Sequence, residues 1–408
     1  MCIRDSPSSA EPEPLLQAVL GSLRDTTISY AAYKNKIRNR EKKDVEKALK
    51  LATDNYRWAP TPENRSFLEA ATIDSTNYLE AEDKLAKKRL EAHVILDSDK
   101  PSQWYLNLAK SRGGALAIPF LRIPMLNEQG VQKVNAEGDG LFKEIHDQKE
   151  ILDVIHSTYK KIFTSTKTTA TIPEFLSNHG KDQLPPIPQV PDEIKTELEK
   201  DITIEELWKS LKNLKNTSFP GGDGFNAKFY KIMWPSLKHL IFKAINAGKR
   251  KGEMTQIMRM GIITLIPKGD KDRTLINNWR PISLLSVIYK ILSGAIANRF
   301  KKALPHIIHP SQKAYLPGRF IGGVTRSIFD IQYHTQTKHI EALILLVDFS
   351  KAFDSIEHSF IDSTLAKFGF GANFSSWIKL LLTKRFACIT LAGNNTQRFT
   401  LDLSLIHI

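Results

Sequence analysis

The sequence predicts an α+β protein, in which a helical N-terminal half is followed by a region where short β-branched strands alternate with amphipathic helices. Three features carry that expectation. Ala71, Tyr78, Leu85 and Ala92 recur every seven residues, the narrow apolar stripe of a long helix packed on a partner or folded back on its neighbour. Residues 182–191, DQLPPIPQVP, hold four prolines that forbid regular structure and favour an extended linker. Beyond it, GIITLIPK (261–268) and ALILLV (342–347) read as strands, short and β-branched, each ended by a charged residue.

In chain order, residues 15–96 are expected to be helical. Tyr30, Tyr33 and Ile37 begin a basic helix carrying Lys34, Lys36, Arg38, Arg40, Lys42 and Lys43, which Trp58, Pro60 and Pro62 bring to an end. That basic run reads either as a track for RNA or as a solvated helix face. Residues 99–105, DKPSQWY, open a short helix with Pro101 in its first turn and Trp104 as its anchor. A strand-like segment at 115–126 leads to a turn at 127–130, and Ile151, Ile155, Tyr159 and Phe163 share one face of an amphipathic helix. After the prolines, Thr203 and Glu206 form a capping box for a helix that buries Ile204, Leu207, Leu211 and Leu214. It empties into the loop 218–225, SFPGGDGF, whose glycines allow left-handed backbone and close approach of another chain. The strand 261–268 is followed by a polar turn at 269–278 and a helix of apolar period over 284–300. A buried strand at 342–347 delivers Asp348 at its end. Helices at 360–368 and 373–382 then precede a hairpin of strands 386–391 and 396–401, joined through Gly393, Asn394 and Asn395.

The composition is that of a globular protein whose basic excess suits either a polyanionic partner or a merely soluble basic protein. Hydrophobic residues make up 41%, and 58 Lys and Arg against 44 Asp and Glu give a net charge of +14 and a pI of about 9.5. Each phosphate neutralised by such a surface releases counterions. Cys388 stands alone once Cys2 is set aside with the N-terminal hexapeptide, so it makes no internal disulfide or metal cluster and fits a reducing, intracellular compartment. No apolar run approaches a membrane span, and no membrane partner is expected. The terminal hexapeptides MCIRDS (1–6) and LSLIHI (403–408) admit codons that are reverse complements apart from the last base at each end. An inverted repeat of this kind is expected of a sequencing-library adapter, with natural sequence continuing past Asp402. The expected organisation is therefore adapter at 1–6, a helical region at 7–180, a linker at 181–200, a mixed domain at 201–402 and adapter at 403–408.

The chemistry is carried by a few residues of the C-terminal half. A strand ending in Lys268, a charged turn and Arg280 returning beside it bring two cations over one cleft. A nucleoside triphosphate requires such a pair, since Arg offers phosphate oxygens a planar fork and Lys a mobile point charge, and ordinary surface charge is the other reading, above all for Lys268 by itself. Asp348, presented where an apolar strand terminates, reads as a turn former or helix cap or as a metal ligand.

The phrase RPISLLSVIYKIL (280–292), with SQKAYLPGRFIGGVTRSIFD (311–330) and the box LVDFSKAFD (346–354), resembles the reverse transcriptases of LINE-type (non-LTR) retrotransposons. The resemblance implies an incomplete right-hand polymerase, with fingers and the first part of the palm, preceded by the segment that joins endonuclease and polymerase in such proteins. It implies an RNA template, a DNA primer or target, and deoxynucleoside triphosphates as partners, with two Mg²⁺ ions bridged by carboxylates. Asp348 matches the first carboxylate ligand, and Lys268 and Arg280 match the fingers pair. Phe353 matches the residue that excludes a ribose 2′-hydroxyl, and packing under the palm helix is its other role. Gln312 and Arg319 match positions that touch template or primer, and Gln312 serves equally as a capping residue. Lys351 and Asp354 are expected to cap the turn or pair with each other. The chain departs from the family at Ser218, where a Lys is usual, at Phe219, where a small residue is usual, and at Ala314 and Tyr315, which replace Gly-Phe. The remaining carboxylates of the metal cage are expected after Asp402, so this piece by itself is expected to be inactive. A group II intron-type reverse transcriptase and a non-catalytic RNA-binding module are the alternatives. A nuclear and cytoplasmic ribonucleoprotein of a eukaryotic host is the expected setting.

Overall fold

The computed structural model describes residues 11–94, 118–125, 127, 132–133, 135, 140–165, 187–349, 356–391 and 394–403, without the side chains of 83–94. The chain divides into two compact units, one taking in residues 15–110 and 216–218, the other residues 1–14, 111–215 and 219–408.

The first unit is a hairpin of two long helices, α1 (Pro12–Trp58) and α2 (Pro62–Val94). The expected stop at Trp58 holds, and the basic helix expected from Tyr30 is continuous with the helical residues before it. Thr61 Oγ1 accepts from Asn64 N at 3.2 Å to cap α2, and Asn64 Nδ2 donates to Ala59 O at 2.8 Å across the turn. Further along, Tyr78 Oη donates to Arg38 O at 3.3 Å and Arg38 pairs with Glu82 at 3.3 Å. These contacts fix an antiparallel register. Ala71 and Tyr78 of the heptad stripe are half-buried, while the side chains of Leu85 and Ala92 lie outside the described ones.

The second unit is built on a sheet of order β4-β3-β5-β6, with β7 also paired to β5. Strand β3 (Met260–Pro267) runs antiparallel to β4 (Trp279–Leu285) and parallel to β5 (Phe386–Leu391). The short β6 (Asn394–Asn395) and β7 (Phe399–Thr400) fold back on β5, so the expected hairpin direction holds, but Asn394 and Asn395, expected in its turn, form strand and residues 396–398 do not. Alternation along β3 sends Gly261, Ile263 and Leu265 to the core face and leaves Ile262, Thr264 and Ile266 on the open one. The core face is covered by α3 (Gln148–Phe163), whose Ile151, Ile155, Tyr159 and Phe163 are all buried, as their spacing predicts. Asp147 caps this helix by accepting from Lys149 N and Glu150 N at 3.0 Å. A two-stranded ribbon, β1 (Leu121–Pro124) with β2 (Phe142–Ile145), adds Leu121 and Ile145 to the same core.

Around the far end of the sheet lie α4 (Asp192–Leu198), α5 (Ile204–Asn213), α6 (Ala227–Lys251) and the short α7 (Gln256–Arg259). They are followed by α8 (Val287–Ile307), α9 (Gly322–Lys338), α10 (His358–Lys367) and α11 (Ala372–Leu382). The capping box of α5 forms as expected, with Thr203 Oγ1 accepting from Glu206 N and Glu206 Oε2 accepting from Thr203 N at 2.9 Å.

Three expectations are corrected. Residues 342–347 form no strand: the run is irregular from 340 to 349, with Leu343 91% and Leu346 85% exposed. An apolar sequence makes a buried strand only where neighbours accept its backbone, and no described strand pairs with it. The helix expected from Leu284 begins at Val287, since Trp279–Leu285 is consumed as β4 and Ser286 caps the helix by accepting from Tyr289 N at 3.2 Å. The segment read as linker is partly helical. Residues 187–190 carry no regular structure, but Pro191 opens α4, whose Asp192 and Glu193 suit the positive end of the helix dipole. The helix expected at 99–105 and the residues 350–355 lie outside the described ones.

Candidate functional site

The β3–β4 hairpin places the two predicted cations together. Ile266 stands opposite Arg280, so Lys268, two residues on, points to the same face as Arg280, a diagonal neighbour at roughly 7–8 Å. The polar turn between them is not loose. Thr274 N and Oγ1 donate to Asp272 Oδ1 at 2.9 and 2.7 Å, Asn278 Nδ2 donates to Asp272 O at 2.8 Å, and Trp279 Nε1 donates to Arg273 O at 2.9 Å. These Thr274 donors, with Arg122 bonded to the other oxygen, hold the Asp272 carboxyl below its usual range. Lys268 N donates to Asn278 O at 2.8 Å and its ammonium to Asn277 O at 2.7 Å, which aims the side chain while leaving donors for an anion. The Arg280 side chain is exposed and makes no hydrogen bond or ion pair among the described residues. Both cations line a cleft of about 250 Å³ whose other walls include Tyr159, Ile162, Trp279 and Pro281.

The glycine loop is sewn against the same sheet. A Cβ on Gly221 would come within 2.6 Å of Leu285 C and Ser286 Cα, so this backbone touches the junction of β4 and α8 where only glycine fits. Gly222 faces Met260 and Ile262 across about 4 Å, on the open side of β3. Asp223, 5% exposed, accepts from Tyr230 Oη at 2.7 Å and Phe225 N at 3.3 Å. Lys290 Nζ donates to Phe219 O at 3.2 Å. Burial pushes the Asp223 carboxyl above its ordinary value, against the hydrogen bonds from Tyr230 and Phe225 and the Lys290 charge. Burial likewise lowers the Lys290 ammonium, against the attraction of Asp223. A carboxyl raised in the folded state contributes stability that is fully present below its unfolded value and lost as pH rises through the folded one. Asp223→Asn is therefore expected to gain on the parent chain in urea midpoint as pH rises above about 4, the ordinary aspartate value. A midpoint difference that is flat over that range would refute the assignment.

The other predicted residues are placed apart from this cleft or left undescribed. Arg319 spends its guanidinium on the end of α8 and the turn after it, donating to His309 O and Gln312 O at 2.7 Å and to Ile308 O at 2.8 Å. Gln312 is exposed, and its Nε2 donates to Ala314 O at 3.4 Å. Asp348 is exposed on the irregular run 340–349. Phe353, Lys351 and Asp354 lie outside the described residues. No group of three or more His, Cys, Asp or Glu that could hold a metal ion occurs among the described residues, and no described helix is long and apolar enough to cross a membrane. Sequence reasoning missed the Asp223, Tyr230 and Lys290 cluster, although an Asp between glycines, with a Tyr one helical turn into the next element, was the available signal.

Comparison with known proteins converges on one family. Residues 266–402, about a third of the chain and including Lys268, Arg280, Gln312, Arg319, Asp348 and Phe353, match the family described as reverse transcriptase (RNA-dependent DNA polymerase). A transposon TX1 protein of 149 kDa from Xenopus laevis is 29% identical over 294 residues, 72% of this chain and 21% of that protein. The Pol polyprotein of retrotransposable element R2 from Popillia japonica is 30% identical over 48% of this chain and 27% of its own length. A 115 kDa protein of element R1DM from Drosophila melanogaster is 26% identical over 44% of the chain. The chain thus spans about a fifth to a quarter of the first two relatives. With Lys268 and Arg280 on one face of the hairpin and the matched segment running through Asp348, the chain carries a reverse transcriptase segment over residues 266–402 and is similar, as a fragment, to the reverse transcriptases of non-LTR, LINE-type retrotransposons.

Proposed function

We propose that the protein of which this chain is part copies RNA into DNA, extending a DNA primer with deoxynucleoside triphosphates on an RNA template. The observation that carries this is the β3–β4 hairpin, which sets Lys268 and Arg280 side by side over one cleft inside the matched segment. The planar guanidinium and the tethered ammonium are suited to clamp a triphosphate from two directions. Asp348 supplies the carboxylate at the reacting end, Phe353 screens the sugar, and Gln312 and Arg319 shape the path of template and primer. Arg319 does so through the turn whose carbonyls it holds. The setting is a ribonucleoprotein inside a eukaryotic cell.

Reverse transcriptases as a family depend on divalent metal, and Mg²⁺, a hard cation, takes oxygen ligands. The described residues do not fit the pair of ions by themselves, because a lone carboxylate does not hold two close divalent charges against their repulsion.

Asp348→Asn in the intact parent is expected to lower primer extension by about a thousandfold or more, the rate scale of several kcal/mol of lost charge stabilisation, while RNA binding stays unchanged. Extension close to the parent's would remove Asp348 from the chemistry.

A further inference from the structure

The polymerase reading leaves the outward side of α1 unused. There Lys36, Arg40, Lys43, Lys47 and Lys50 follow one another at steps of four and three residues, all of them exposed. At 3.6 residues per turn those steps keep the five within an arc of about 80° and spread them along about 21 Å of helix. Arg38, which meets α2, and the less exposed Val45, Leu49 and Ala52 project from the opposite side. Glu41, Asp44 and Glu46 fall outside the arc, and Asp25 and Asp54 return to it only beyond its two ends. None of the five cations makes an ion pair or side-chain hydrogen bond among the described residues, whereas Lys42, on a neighbouring stripe, sits 3.8 Å from Glu46. Like charges aligned at these spacings repel, and a polyanion laid along them relieves the repulsion.

We propose that this seam docks the phosphate backbone of a double-stranded RNA segment. The choice of RNA rests on the polymerase reading, and the choice of a duplex rests on the seam itself. Single strands are held on platforms where aromatic rings interleave with the cations and stack on bases. Here Tyr33 only borders the arc, and Tyr30, off it, lies under the Lys34 ammonium at 5.9 Å. A straight row of cations on a stiff helix suits a partner that is itself stiff and is recognised through shape and phosphate.

The test uses the full 408-residue chain and a fluorescent RNA duplex of arbitrary sequence, about two helical turns long, titrated by anisotropy over a range of salt. One variant combines Lys36→Gln, Arg40→Gln, Lys43→Gln, Lys47→Gln and Lys50→Gln, changes between good helix formers, with circular dichroism as the check that α1 persists. A control removes the same charge from scattered exposed positions through Lys209→Gln, Lys215→Gln, Lys228→Gln, Lys301→Gln and Lys338→Gln. At roughly 0.9 per phosphate contact, the seam variant is expected to flatten the log–log salt slope by about 3 to 4, the control by less than about 1. Equal slopes in the two variants, no duplex binding by the unmodified chain, or tighter binding of a single strand of the same length would each overturn the proposal. Primer extension by the Asp348→Asn parent bears on the polymerase reading alone, so the two ideas fail separately.

Discussion

Replacing Arg299 with alanine is expected to lower the unfolding free energy of the second unit by about 3 to 5 kcal/mol, the scale of breaking a buried ion pair by removing one partner. Arg299 is 8% exposed in the middle of α8. Its Nε and Nη2 donate to the two carboxylate oxygens of Glu206 at 2.6 and 2.7 Å, a planar fork on both sides. Nη2 also donates to Asp201 O at 2.7 Å, and Nη1 to Leu198 O at 3.3 Å and to Lys200 O. One side chain thus ties α8 to the end of α4, to the turn after it and to the capping box of α5. Without it, three carbonyls lose a donor together and the partly buried Glu206 carboxylate keeps only the Thr203 N–H. Arg299→Lys keeps the charge but not the fork, and an intermediate loss is expected. Burial pushes the Glu206 carboxyl up, but Arg299 and Thr203 outweigh it and the folded value lies below the ordinary one. A lowered carboxyl contributes stability that is present above its unfolded value and lost as pH falls through the folded one. The gap between Arg299→Ala and the parent chain should therefore narrow in acid. Urea midpoints that differ by less than about 1 kcal/mol at neutral pH, or a gap that widens on acidification, would contradict this account.

Local chemistry was legible wherever one short pattern decided the outcome. Thr203 and Glu206 announced their own reciprocal bonds, Ile151 to Phe163 showed the buried face of α3, and GIITLIPK alternated as a half-open strand should. The proximity of Lys268 and Arg280 was legible too, because a strand, a turn and a returning arginine leave them few ways to lie apart. What the residues did not show was pairing at a distance. The parallel match of β3 with β5 joins segments more than a hundred residues apart, and the intervening sequence carries no mark of it. The same limit explains 342–347, whose composition states a preference for burial but names no neighbour. Arg299 was hidden for a related reason. A cation in an otherwise apolar helix reads as a surface residue until its carboxylate, 93 positions away, is brought beside it.

Gly221→Ala is expected to be nearly as damaging as the loss of Arg299, at about 3 kcal/mol or more, because the added methyl meets backbone instead of a movable side chain. The atoms it would strike, Leu285 C and Ser286 Cα, end β4 and begin α8, and Ser286 is already committed as the cap of that helix. The loop must lift instead. Lifting strains the bond from Lys290 Nζ to Phe219 O and draws on the buried Asp223 to Tyr230 contact, so the methyl disturbs groups on two helices as well as its own turn. Gly222→Ala is the contrasting case: its nearest neighbours, Met260 Cγ and Ile262 Cδ1, stand at 3.9 and 4.0 Å, ordinary packing distance, and little loss is expected. Thermal unfolding of the two variants side by side separates the steric argument from a general need for flexible backbone in this loop, which predicts similar losses at both positions.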